Sequence, residues 1–127
     1  SAHQMAVSQM AIEYCNALVE DNGQTTRDVY FPGFFQPGMA PDTADTAFDT
    51  SGKRDLVIVP LMNRVMNTNL TDQPDTADVT GELDALITIL ASCATGPAPT
   101  CATTQRTEEI VKAVCAATLG SAAMLLQ

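Results

Sequence analysis

Cys15, Cys93, Cys101 and Cys115 are the side chains of this 127-residue chain best suited to chemistry. Structural zinc sites use closely spaced thiolates, usually as C-x2-4-C pairs. Here the nearest two cysteines have seven residues between them and Cys-x-x-Cys does not occur. Zinc and covalent haem attachment are therefore set aside. A cysteine nucleophile needs a base beside its thiolate. The single histidine, His3, stands near residue 1, where fraying is expected, so a cysteine–histidine pair is not expected either. An even number of cysteines spread along the chain reads instead as two disulfides. Three pairings are possible. The reading adopted closes the Gly/Pro-containing loop with Cys93–Cys101 and ties the first helix to the last with Cys15–Cys115. In the chain-entropy model the longer loop contributes more. Such bridges persist in oxidising surroundings, which implies an extracellular, cell-surface or periplasmic location.

Carboxylates are the second resource. Asp42, Asp45 and Asp49, with Asp55 beyond them, crowd one polar stretch, and calcium takes six to eight oxygen ligands. Their spacing does not match the alternating-Asp loop with a central Gly and a final Glu, so they are weak calcium candidates. Helix caps and solvated charge are the plainer reading. No Gly-x-Ser-x-Gly elbow or phosphate-binding glycine loop is present, and no Trp offers a platform for a sugar. Asn69-Leu70-Thr71 fits an N-glycosylation acceptor, a triplet common by chance. The expectation is a chain that is not an enzyme and carries no cofactor.

The third resource is aromatic. Tyr30, Phe31, Phe34, Phe35 and Phe48 fall among Pro32, Gly33, Pro37, Gly38 and Pro41 in a segment, 24 to 52, that reads as a long irregular loop. Either its rings wrap and fill a helical core, or Tyr30, Phe31, Phe34 and Phe35, with Met39, form an exposed surface for a small ligand or carbohydrate. Packing is the favoured alternative, because large exposed apolar patches are rare on monomers.

The elements that must position these residues are helical. From His3 to Asn22 the residues Val7, Met10, Ala11, Tyr14, Cys15 and Leu18 recur at helical spacing. Ile12 and Val19 widen the stripe, predicting a helix buried over much of its circumference. Lys53 to Asn67 reads either as a helix kinked at Pro60 or as an extended run Leu56–Val59 leading into a helix with Pro60 in its first turn; the continuous helix is the reading adopted. Val79, Leu83, Leu86, Ile87 and Leu90 define a third, capped by Asp75 or Thr76. A fourth runs from about Thr104 to Leu126, with Ile110, Val111, Val114, Cys115, Thr118, Leu119, Ala122 and Leu125 inward. Ala113, Ala116, Ala117, Gly120 and Ser121 mark a face on which another helix could approach closely. Pro41-Asp42-Thr43-Ala44-Asp45 is echoed by Pro74-Asp75-Thr76-Ala77-Asp78, and both read as helix starts. The expected fold is all-α: a disulfide-stapled bundle of about four helices with a long aromatic loop after the first, forming one domain over residues 1–127.

Charge narrows the partners. Fifteen acidic residues against six basic give a net charge of −9, which repels nucleic-acid phosphates and anionic membrane surfaces. The Ile110–Leu126 stretch is too short and too polar to cross a bilayer.

Four segments carry a resemblance: Ala2-His3-Gln4-Met5-Ala6-Val7-Ser8-Gln9-Met10-Ala11-Ile12-Glu13-Tyr14-Cys15, Arg54-Asp55-Leu56-Val57-Ile58-Val59-Pro60-Leu61, Asn69-Leu70-Thr71-Asp72-Gln73-Pro74 and Val111-Lys112-Ala113-Val114-Cys115-Ala116-Ala117-Thr118-Leu119-Gly120-Ser121-Ala122. Together they resemble a helical region of large exported gammaproteobacterial proteins that also carry cytochrome-c-like and laminin-G-like domains. The resemblance implies export and a module within a longer polypeptide, whose partners are neighbouring domains of that polypeptide or another surface protein. It supplies no catalytic residues, and neither the haem motif nor a laminin-G-like sandwich is present here. The expected role is a non-catalytic spacer, scaffold or interaction module. The alternative is a small-ligand or carbohydrate-binding module using the aromatic loop 30–48.

Overall fold

The computed structural model describes residues 2–20, 26–65, 75–92 and 102–125, with side chains up to Ser121 in the last segment. It is helical: α1 Ala2–Val19, α2 Thr26–Tyr30, α3 Ala44–Ala47, α4 Ser51–Val65, α5 Thr76–Ala91 and α6 Thr104–Leu125. Among the described residues there is no strand, only an isolated bridge between Pro32 and Phe35. No described helix is long and apolar enough to cross a membrane.

Three of the long helices start on a polar side chain that takes up a free N–H group. The Thr50 hydroxyl accepts from Lys53 N at 3.2 Å, the Asp75 carboxylate from Ala77 N at 3.0 Å and the Thr103 hydroxyl from Arg106 N at 3.0 Å. The two Pro-Asp-Thr-Ala-Asp segments both start helices, but in different registers. The second is capped by its Asp75, whereas the first begins α3 after Thr43, whose side chain makes no capping bond.

The helix α6 is the centre of the assembly, packing against α1, α3, α4 and α5. Its Ile110, Val111, Val114 and Cys115 meet Val19 of α1, Val57, Ile58 and Leu61 of α4, and Leu83 and Ile87 of α5 in one buried cluster. The helices α1 and α6 run antiparallel: Cys15 is bonded to Cys115, while the carbonyl at the far end of α1, Val19, shares Arg27 with Glu108 at the start of α6.

Several expectations are corrected. Among the described residues there are six helices where about four were expected, because the segment 24 to 52 is not an irregular loop throughout: α2 and α3 lie within it. The burial of α1 is a single line, not a broad face. Ala11, Cys15, Leu18 and Val19 are buried, while Met5, Met10, Ile12 and Tyr14 are exposed. Among the described elements, the main packing partners of α1 are α6 and the short α2. The expected helix with Pro60 within it is found: Pro60 lies inside a continuous α4, half-buried. On the small-residue face of α6, Ala113, Ala116, Ala117 and Gly120 are half-buried and Ser121 is exposed; among the described residues a Cβ added at Gly120 would meet nothing within 4 Å.

Candidate functional site

Cys15 and Cys115 are completely buried and joined as a disulfide, with Cα atoms 5.8 Å apart across 100 positions of sequence. Neither sulfur is a thiol, so neither can attack a substrate or ligate a metal. His3 is exposed on the first turn of α1, twelve residues and about 18 Å of helix away. Cys93 and Cys101, and with them the second expected bridge, lie outside the described residues, as does the Asn69 triplet.

The aromatic segment belongs to the core. Tyr30, Phe31, Phe35 and Phe48 are buried and Phe34 is half-buried. Their rings form a chain: Tyr30–Phe31 at 4.8 Å between centroids, Phe31–Phe35 at 5.9 Å, Phe35–Phe34 at 5.0 Å and Phe34–Phe48 at 5.3 Å. The tilted and edge-on arrangements are those that ring quadrupoles favour. Gly33 permits this. At φ +85° it reverses the backbone, so that Phe34 N and Phe35 N both donate to the Phe31 carbonyl and two rings return to the core. Of the residues considered for a ligand surface, Met39 alone is well exposed, and it stands outside this ring chain.

The three aspartates do not converge. Asp49 pairs with Lys53 at 2.9 Å, and Asp45 lies in the first turn of α3. Asp42 contributes its main-chain carbonyl, which accepts from the Thr107 hydroxyl at 2.6 Å. Among the described residues, no group of three or more His, Cys, Asp or Glu side chains could hold a metal ion.

Arginine ties, which composition does not reveal, join the helices. Arg27, 4% exposed, donates to the Val19 carbonyl at 3.3 Å and to Glu108 at 2.9 Å, with its guanidinium 4.6 Å from the Phe35 ring centre. Arg54 donates to Asp84 of α5 at 2.6 Å and to the Phe48 carbonyl at 2.9 Å. Arg106 reaches the Leu90 carbonyl from two nitrogens, at 3.2 and 3.1 Å, satisfying an acceptor at the end of α5. Among the described residues, the buried Asp28 Oδ1 has no hydrogen-bond partner.

Among the described residues, hollows between elements include the following two. The α5–α6 cleft, about 470 Å³, has Val79, Leu83, Leu86 and Ala117 among its walls and Asp78 and Glu82 beside them. A hollow of about 410 Å³ is bounded by Tyr14, Tyr30, Arg64, Val65 and Leu119, drawn from α1, α2, α4 and α6. There the Arg64 guanidinium lies 4.2 Å from the centre of the Tyr30 ring. Burial holds the Tyr30 phenol above its ordinary pKa; neighbouring Tyr14 adds to the shift and Arg64 opposes it.

Compared with family models, curated proteins and solved structures, the chain matches none of them.

Proposed function

We propose that this chain is a non-catalytic structural or interaction module of an exported or cell-surface bacterial protein. In this reading α1, α4, α5 and α6 are the principal helices of a stapled bundle, and the segment containing α2 and α3 is a clasp around it. One observation carries the proposal: side chains suited to chemistry are built into helix–helix joints. Arg27, Arg54 and Arg106 each tie two or more segments, Phe31 and Phe35 fill the core, and Cys15 and Cys115 are cross-linked. The disulfide favours an oxidising compartment, and the resemblance to exported multidomain proteins points the same way.

The test is a replacement in the longer polypeptide to which the segment is expected to belong. The segment is exchanged for an unrelated disulfide-closed helical module, and surface display and protease resistance of the remainder are measured. Retained display and resistance are the expected result. Loss of an enzymatic turnover in the exchanged protein would overturn the non-catalytic reading. A second reading, small-ligand binding, draws support from the hollow at Tyr14, Tyr30 and Arg64 rather than from the rest of the segment 30–48.

A further inference from the structure

Of the six basic residues, Arg27, Lys53, Arg54 and Arg106 each lie within 4 Å of a carboxylate. Arg64 is placed differently. In a chain with fifteen acidic residues it is held against the Tyr30 ring, and no Asp or Glu is among the described residues bounding the hollow beside it. The polar tips there are one guanidinium and two phenols, and all of them donate.

We propose that the hollow bounded by Tyr14, Tyr30 and Arg64 binds a small aromatic carboxylate. Three properties select this class. A guanidinium presents a planar fork that matches the two oxygens of a carboxylate, and stacking on Tyr30 holds that fork ready. Val65, Leu119 and the half-exposed Tyr14 ring give an apolar boundary suited to a flat hydrocarbon body, and about 410 Å³ is within the range of small-molecule sites. Finally, a net charge of −9 opposes the approach of a dianion more than that of a monoanion, so carboxylate is favoured over phosphate. The Tyr30 phenol is neutral at neutral pH and can donate, and burial, which raises its pKa, acts in the same direction. This site does not depend on the structural role proposed above.

The hollow also depends on the staple. Tyr14 adjoins Cys15, and Leu119 lies one turn beyond Cys115, so the disulfide fixes the two walls relative to each other.

The test is calorimetric titration of the oxidised chain with benzoate, followed by the variants Arg64→Gln, Tyr14→Phe and Lys53→Gln. Saturable binding is expected, weakened at least tenfold by Arg64→Gln and severalfold by Tyr14→Phe. Lys53→Gln, which removes the same charge away from the hollow, should leave affinity within twofold. Circular dichroism and melting confirm that each variant is folded, as the exposed position of Arg64 near the end of α4 leads one to expect. Absence of saturable benzoate binding would overturn the proposal. So would unchanged affinity in Arg64→Gln, or an equal loss in Lys53→Gln.

Discussion

Arg27 on α2 donates to the carboxylate of Glu108 on α6 at 2.9 Å, across 81 positions of sequence. The arginine is almost wholly buried and also serves the Val19 carbonyl and the Phe35 ring. One side chain thus joins the end of α1, the clasp and the last helix.

Removing it leaves Glu108 and a main-chain carbonyl short of a donor. Breaking a buried ion pair from one side costs about 3–5 kcal/mol. Glu108 keeps some access to water, its side chain being 24% exposed, so Arg27→Met should cost about 2–3 kcal/mol. Adding Glu108→Gln should recover part of that loss. Urea midpoints of the two single variants and the double variant measure the coupling; strict additivity would show that the pair is not a unit.

The Cys15–Cys115 bridge closes a 100-residue loop, for which the chain-entropy model gives about 4.7 kcal/mol before strain. Replacing both cysteines by Ala should lower stability by about 2–5 kcal/mol. For a chain of this length that is about 10–20 °C in melting midpoint. A double variant melting with the parent would show that helix packing alone holds α1 in place.

Glycines give a contrast in sign. Gly81 is exposed inside α5, and a Cβ there meets nothing within 4 Å, so Gly81→Ala should stabilise by about 0.5–1 kcal/mol. Gly33, at φ +85°, has room for a Cβ, with Leu56 at ordinary contact distance, but the backbone is strained for any L side chain. Gly33→Ala should therefore cost about 1–2 kcal/mol, through conformation alone. Chemical denaturation of both variants checks the two signs together.

Tyr30 predicts an alkaline limit. Its folded pKa is raised, so between the unfolded value near 10 and the folded value the unfolded chain binds fewer protons. Stability then falls as pH rises through that window and is unaffected by this group below it. Tyr30→Phe should flatten the decline above pH 10. An identical slope in parent and variant would assign the decline to other groups.

What the sequence reveals depends on whether the signal is local. The helix α5 is legible because its apolar spacing and its start are encoded within one segment; of the two caps the sequence offers there, Asp75 and Thr76, the structure uses Asp75. The same rule over-reads α1: Met10 and Ile12 have helical spacing, but periodicity does not say how many neighbours a helix has. The short α2 hides beside proline and glycine punctuation. Arg27 carries no local mark at all, because its partner is defined only once α1, α2 and α6 have met. The hollow at Arg64 is hidden for the same reason, being assembled from four elements.

Among the described helices, the one on which α1, α3, α4 and α5 all converge is made after the other five. Until α6 emerges, Cys15 has no partner at position 115, Asp42 lacks the Thr107 donor and the end of α5 lacks Arg106. The earlier segments therefore cannot close the core in the order in which they are made. This topology ties closure of the core to the arrival of α6, so the segments made before it lack their shared packing partner until then.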